Sequence, residues 1–84
     1  MQLAQETWEV NKILSIVAEN TRNIIKAKGL KNKAVAEKAG YSEQKFSRML
    51  NGQKVIESSD ILRISNALDV TPNDLFGINN KKAR

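Results

Sequence analysis

The side chains that could do chemistry in this chain are lysines, arginines, amides and carboxylates, and they suit binding better than catalysis. The 84 residues contain no cysteine and no histidine, which excludes a thiol nucleophile, a disulfide framework, a cysteine/histidine zinc site and imidazole acid–base chemistry. The carboxylates are scattered, and the sequence has neither a glycine-rich phosphate loop nor a nucleophile paired with a base. We therefore predict that the protein is not an enzyme, uses no metal or other cofactor, and takes no small-molecule ligand.

Positive charge is concentrated in the middle of the chain. The formal net charge is +5, yet residues 21–54 alone hold nine lysines and arginines against two glutamates, a net charge of +7. Residues 1–20 carry a net charge of −2, and residues 55–84 are neutral. Such a segment favours a polyanionic partner such as nucleic acid, although a lysine-rich surface that only aids solubility would have the same composition.

Residues 32–52 have the pattern of two short helices joined by a glycine turn, and the remaining elements must support this unit. Apolar residues at three- and four-residue spacing mark one buried face on each helix. These residues are Val35, Ala36 and Ala39 on the first helix and Phe46, Met49 and Leu50 on the second. Gly40 suits the left-handed conformation that ends a helix, and Ser42 suits the N-cap of the next one. The small Ala36 side chain leaves room for the two helices to cross closely.

This pattern resembles the helix-turn-helix of the phage repressor/Cro-like (XRE-type) DNA-binding domains. The landmarks are a small residue, a glycine four positions later, and apolar residues six and nine positions after that glycine. Here they are Ala36, Gly40, Phe46 and Met49. Residues 29–30, 51–52 and 61–76 extend the match, so that the resemblance covers roughly residues 17–77. It implies an all-α fold, a compact five-helix lambda-repressor-like DNA-binding domain with an N-terminal helical extension.

The resemblance implies that residues 43–50 form a recognition helix that enters the major groove of double-stranded DNA. In the family, bases are contacted mostly from the first two exposed positions and from one about a turn later, which correspond to Glu43, Gln44 and Arg48. Gln44 is suited to adenine, Arg48 to guanine, and Glu43 to the amino group of cytosine. The full set of expected base-reading residues is Glu43, Gln44, Lys45, Ser47 and Arg48. A solvated helix face would carry the same residue types.

Contacts to backbone phosphates are expected on both sides of this helix. Asn32 matches the position where the family usually has a glutamine that grips the backbone, although asparagine is one methylene shorter. Nearby lysines supply positive charge. The expected phosphate-binding residues are Lys31, Asn32, Lys33, Ser42, Asn51 and Lys54.

The chain ends lie outside the core of the resemblance. We predict a helical N-terminal extension at residues 1–16, the helix-turn-helix domain at residues 17–77, and a basic flexible tail at residues 78–84. Apolar residues recur at helical intervals from Val10 to Ile25, and one long helix or two shorter ones would both fit. Leu3, Trp8 and Ile16 add apolar surface. This surface packs either on the domain's own core, which is the favoured alternative, or on a second subunit in a homodimer.

The sequence also predicts individual core residues and helix caps. The residues expected to face the core after the first helix are Leu30, Val55, Ile56, Ile61, Leu62, Ile64, Ala67, Leu68, Val70, Leu75 and Phe76. Since lysine is a poor N-cap, Asn32 rather than Lys31 is expected to cap the second helix. The fourth helix is expected to be capped by Ser58 or Ser59. The run 71–74, threonine-proline-asparagine-aspartate, is a strong start for the fifth.

These observations lead to two functional hypotheses. The apolar runs are too short to span a membrane, and the N-terminus lacks the plan of a signal peptide, which favours a cytoplasmic protein. The leading hypothesis is a sequence-specific transcriptional regulator, a repressor of phage type that occupies an operator as a homodimer. The alternative is a protein-binding adaptor, antitoxin-like or antirepressor-like, that keeps the fold and works through its extension. The polar residues 43–48 beside the +7 segment favour the regulator.

Overall fold

A computed structural model describes the backbone of residues 2–78 and the side chains of residues 14–78. Within this range the chain forms five α-helices and no strand, which confirms the predicted all-α, five-helix fold. The helices are α1 (Gln2–Ala27), α2 (Asn32–Ala39), α3 (Glu43–Leu50), α4 (Ser58–Leu68) and α5 (Pro72–Phe76). None of these helices is both long enough and apolar enough to cross a bilayer.

The first helix is continuous, so the extension and the start of the domain are one element. Its 26 residues correspond to a length of about 39 Å. From Leu14 onward one face packs into the core, with Val17 and Ile25 buried. Thr21 is fully buried, and its hydroxyl donates to the Val17 carbonyl at 2.7 Å, which satisfies its polar group. The predicted packing of Leu3 and Trp8 lies outside the described side chains, and most of the basic tail lies outside the described residues.

The second and third helices form the predicted helix-turn-helix. Gly40 has φ 89°, and its N–H donates to Glu37 while the next N–H donates to the Ala36 carbonyl at 2.8 Å, so the turn ends α2 by satisfying its last carbonyls. Ala36 is completely buried, as the close crossing of the helices requires. Ser42 is the N-cap of α3, and its hydroxyl accepts a hydrogen bond from the Lys45 N–H at 3.1 Å.

The core is formed by one face of every helix. Its fully buried large side chains include Phe46 and Met49 of α3, Ile64 and Leu68 of α4, and Leu75 of α5. Val70 and Phe76 are half-buried and pack against this core. The α1 helix contacts α3, α4 and α5, and α2 packs between α3 and α4. The eight-residue α3 is therefore held from two sides.

Three residues that were expected in the core are exposed instead. Leu30 is 41% exposed because it lies in the turn after α1 and only borders the surface between α2 and α4. Val55 is 64% exposed while Ile56 is buried, since neighbouring side chains of an extended segment point in opposite directions. Leu62 is 56% exposed. It precedes the buried Ile64 by two residues, and residues two apart lie on nearly opposite sides of an α-helix. The rest of the α4 stripe is buried or half-buried as predicted.

The helix starts were predicted correctly for α5 and incorrectly for α2 and α4. Thr71 caps α5, with Pro72 as the first helical residue and the Asp74 carboxylate accepting from the Thr71 N–H at 3.0 Å. The N-cap of α4 is Glu57 rather than a serine; its N–H donates to the Asp60 carboxylate at 2.8 Å, so the third helical residue supplies the capping group. The N-cap of α2 is Lys31, whose side chain makes no capping hydrogen bond, and Asn32 is the first helical residue.

Candidate nucleic-acid interface

The third helix divides cleanly into a buried and an exposed face. Phe46, Met49 and Leu50 are buried. All five predicted base-reading side chains on the remaining surface are exposed: Glu43, Gln44, Lys45, Ser47 and Arg48. At about 100° per residue, Gln44, Ser47 and Arg48 lie in the middle of this exposed face, with Glu43 at one flank and Lys45 at the other. The structure therefore brings all five residues to one exposed face, with Gln44, Ser47 and Arg48 at its centre.

The predicted phosphate-binding residues are exposed at both ends of the helix-turn-helix. The set comprises Lys31, Asn32, Lys33, Ser42, Asn51 and Lys54. Lys31–Lys33 surround the start of α2, where the first backbone N–H groups of a helix can bind an anion. The Ser42 hydroxyl accepts the capping hydrogen bond and can still donate its own hydrogen. The Asn51 amide donates to the Ser47 hydroxyl at 3.5 Å, which directs it back along α3.

The end of α3 is held by a residue whose role was not predicted. The Arg22 guanidinium of α1 donates a hydrogen bond to the Leu50 carbonyl, one of the last carbonyls of α3. A cation at this position compensates both the unpaired carbonyl and the negative end of the helix dipole. Arg22 and Lys54 also line a groove of about 400 Å³ between α1 and the segment after α3. In the sequence Arg22 is only one of the cations of the basic segment, because a contact between residues 28 apart leaves no spacing pattern.

A second group of unpredicted residues surrounds the tyrosine that follows the turn glycine. The Tyr41 ring is buried and stacks with Phe46, with ring centroids 6.2 Å apart and planes 8° from parallel. Its hydroxyl donates to the Asp60 carboxylate of α4 at 2.5 Å. Two cations face the ring: the Lys45 ammonium at 5.3 Å and the Arg63 guanidinium at 5.9 Å from its centroid. We call these four residues, Tyr41, Lys45, Asp60 and Arg63, the tyrosine cluster.

The charges of the tyrosine cluster depend on one another. Burial and the hydrogen bond to the Asp60 carboxylate raise the pKa of Tyr41 well above its usual value. Burial by itself would raise the pKa of Asp60, but hydrogen bonds from Tyr41 and the Glu57 N–H, together with the Lys45 and Arg63 charges, lower it. Tyr41 is thus a neutral donor and Asp60 a charged acceptor at neutral pH. The only visible sequence signal was the place of Tyr41 between Gly40 and Ser42.

Comparison with known proteins assigns this fold to a family and confirms the resemblance seen in the sequence. The sequence profile of the Cro/C1-type HTH DNA-binding domain matches residues 20–81. No curated protein matches the chain in sequence. Among solved structures, the chain is similar to the restriction-modification controller protein C.AhdI from Aeromonas hydrophila, with a TM-score of 0.69 and 27% identity, covering 74% of this chain and 94% of that one. Because the profile includes α2, the turn and α3 in full, the chain belongs to the Cro/C1-type helix-turn-helix DNA-binding domain family.

Proposed function

We propose that this protein is a sequence-specific transcriptional regulator that binds double-stranded DNA with α3 in the major groove and represses by occupying an operator. The observation that carries the proposal is the exposed polar face of α3, residues 43–48, on a helix whose other face is buried in a family DNA-binding fold. An α-helix fits the major groove and reads base edges with its exposed side chains. The similarity to a restriction-modification controller protein supports a regulator over an adaptor.

Three exposed residues of α3 have base partners that suit their chemistry. Gln44 can donate to and accept from adenine, and Arg48 can donate twice to guanine. The two lie four residues apart and share one side of the helix, so they would address neighbouring base pairs. Glu43 can only accept and suits the amino group of cytosine, while Ser47, between them, can donate or accept. Lys45 reaches the DNA only from the flank of α3.

The phosphate contacts would fix the position of α3 without reading sequence. The N-terminus of α2 contributes Lys31, Asn32 and Lys33 on one side, and Ser42, Asn51 and Lys54 lie at the two ends of α3. Asn32 is exposed in the first turn of α2, so its shorter side chain works beside the free N–H groups of that turn. These residues would contribute affinity for every duplex. The residues of α3 would contribute the preference for one sequence over another.

We also propose that the protein binds as a homodimer through its N-terminal extension. The continuity of α1 supports this assembly, because the extension is not a separate helix that could fold back over its own domain. Leu3, Val10 and Ile13 recur at helical intervals along this part, and Trp8 adds further apolar surface. A symmetric dimer would read two half-sites about 34 Å apart on a palindromic operator.

Selection of bound sites from random duplex DNA, at about 150 mM salt, tests the proposed function. The matched proteins are the wild type, Arg48→Ala, and Lys38→Ala, which also removes one positive charge but lies on another surface of the domain, near the end of α4. We expect a palindromic motif for the wild type and Lys38→Ala. Arg48→Ala should bind the selected site more weakly by about 1–3 kcal/mol and accept other bases at one position. Binding with no enriched motif, or an unchanged motif for Arg48→Ala, would rule out the proposed reading by α3 and favour the adaptor.

A further inference from the structure

Lys45 differs from the other polar residues of α3 in having partners within the protein. Its ammonium lies 5.3 Å from the centroid of the Tyr41 ring, a distance at which the negative face of an aromatic ring attracts a cation. Its charge also acts on the Asp60 carboxylate, whose oxygen accepts the Tyr41 hydroxyl at 2.5 Å. The Lys45 side chain, at the flank of α3, is therefore drawn toward Asp60 of α4.

We infer that Tyr41 and Asp60 are positioning residues that hold the Lys45 ammonium at the flank of α3 and thereby weaken binding to DNA of the wrong sequence. The inference rests on the proposed function in taking α3 as the DNA-reading helix. A lysine that is free beside a DNA groove pairs with phosphates of any sequence and adds affinity without preference. A lysine held by a ring and a carboxylate must give up those partners before it can bind a phosphate.

The residues that attract the Lys45 ammonium are themselves held in place by other contacts. Tyr41 is buried against Phe46, and Asp60 is fixed by the Glu57 N–H at 2.8 Å at the start of α4. Arg63 lies on the same ring, 5.9 Å from its centroid, and its guanidinium is also near Gly40. The partners of Lys45 are therefore a buried ring and a carboxylate that accepts two hydrogen bonds from its neighbours. Removing the carboxylate charge is the smallest change that loosens Lys45.

The decisive experiment measures binding of random-sequence duplex DNA as a function of salt for Asp60→Asn. The amide oxygen of asparagine can still accept from the Glu57 N–H, and its NH2 group can donate to the Tyr41 hydroxyl oxygen, so the start of α4 is kept while the charge is lost. We expect tighter binding and a log–log salt slope steeper by about 0.9, the value for one additional phosphate contact. Asp69→Asn, at the other end of α4, makes the same change in net charge and should leave the slope unchanged.

A double-mutant cycle shows whether the effect passes through Lys45. In a Lys45→Met background, Asp60→Asn should no longer steepen the salt slope, because no lysine remains to be released. Tyr41→Phe keeps the ring and its stack with Phe46 but loses the hydroxyl, so it should steepen the slope less than Asp60→Asn. If Asp60→Asn acts equally with and without Lys45, or no more than Asp69→Asn, the positioning role is overturned.

Two measurements on the free protein check the cluster itself. Tyr41 is the only tyrosine in the chain, so absorbance titration reports its ionisation alone, and Asp60→Asn should bring that ionisation to lower pH. Ring current from Tyr41 should shift the Lys45 ε-proton resonances upfield, and Asp60→Asn should move them back toward those of Lys38. Unshifted Lys45 protons in the wild type would contradict the restraint. If the wild type prefers no sequence, the proposed function fails, but the random-DNA salt slopes still decide the inference.

Discussion

Asp60 connects the start of one helix to the turn of the helix-turn-helix. One carboxylate oxygen accepts the Tyr41 hydroxyl and the other accepts the Glu57 N–H. Lys45 and Arg63 supply positive charge nearby, and together these partners lower the pKa of the Asp60 carboxyl despite its burial. The ionised form of Asp60 therefore stabilises the native state more than the unfolded chain.

This linkage predicts a specific acid dependence of stability. Because the pKa of Asp60 is lower in the folded state, its stabilisation is complete above the ordinary value of about 3.9 and is lost as the pH falls through the lower, folded value. Denaturant unfolding between about pH 5 and pH 2.5 should show a smaller loss of unfolding free energy for Asp60→Asn than for the wild type. Equal losses in the two proteins would mean that Asp60 gains nothing from its partners.

Lys33 should act on all DNA sequences alike. It lies exposed in the first turn of α2, where a phosphate contact carries no base information. Lys33→Ala should weaken binding to the selected site and to random duplexes by the same factor, and it should reduce the salt slope by about 0.9. Lys38→Ala, at the end of the same helix, serves as the control in the same filter-binding or anisotropy measurement. A loss confined to the selected site would contradict the phosphate role.

At the scale of single residues, local spacing predicts the landmarks of the helix-turn-helix but not the contacts between residues far apart in sequence. Ala36, Gly40 and Ser42 follow from neighbours within four residues, and the structure confirms all three. The Tyr41–Asp60 bond joins residues 19 apart, so its formation depends on how α4 packs against α2. The exposed Leu30 and Val55 were misassigned for a related reason: hydrophobicity favours burial, but the direction of a loop side chain depends on the packing around it.

The third helix is too short to be stable by itself, since isolated helices of fewer than about 12 residues are marginal in water. Its eight residues are stabilised by Ser42 at the start, three buried side chains along one face, and Arg22 at the end. The helix that is proposed to read DNA thus owes its shape to the residues around it.

Arg22→Ala should loosen the end of α3 without unfolding the domain. The lost hydrogen bond to the Leu50 carbonyl and the lost charge at the helix end together correspond to about 1 kcal/mol for a contact that is partly exposed. Hydrogen exchange should become faster at the amides of Asn51 and Gln53, which bond to carbonyls of the last turn, and remain unchanged in α5. Lys26→Ala, also an exposed cation of α1, is the control, and equal effects would exclude a specific contact.

The helices themselves could be predicted from the sequence better than their starts. Apolar periodicity and turn glycines gave the five helices, and threonine followed by proline gave the start of α5. The starts of α2 and α4 are not predictable in this way, because their N-cap residues, Lys31 and Glu57, are not favoured N-caps. At α4 the Asp60 carboxylate, three residues into the helix, takes over the capping of the Glu57 N–H. A poor cap residue can therefore be compensated from within the helix.

On the scale of the whole molecule, the excess positive charge lies in the same part of the chain as the helix-turn-helix. The +7 segment, residues 21–54, includes the end of α1, all of α2 and α3, and the loop that follows. α2 and α3 pack directly against each other, so the positive residues of this segment belong to one structural unit. Such a unit should bind any duplex weakly and with strong salt dependence, and the proposed function assigns the preference among sequences to α3.

Deletion of residues 2–12 tests the proposed dimer. The deletion leaves the buried residues Val17, Thr21 and Ile25 of α1 in place, so we expect the shortened chain to keep its helical circular dichroism and cooperative unfolding. Sedimentation should change from dimer to monomer, and the selected site should be bound as single half-sites. A shortened chain that stays dimeric, or a full-length chain that is monomeric, would place the interface elsewhere or exclude it. A strongly destabilised monomer would instead favour packing of the extension on its own domain.

Because α1 is continuous, the rotation of the extension about the helix axis is fixed relative to the domain. Each residue added to an α-helix rotates the rest of the helix by about 100° about its axis and shifts it by about 1.5 Å along the axis. Two residues inserted ahead of Leu14 would turn the outer part of α1 by about 200°, whereas four would turn it by only about 40°. The direction of the extension relative to α3 is therefore set by the number of residues between them. A half-turn insertion would reverse that direction while leaving α2 to α5 unaltered.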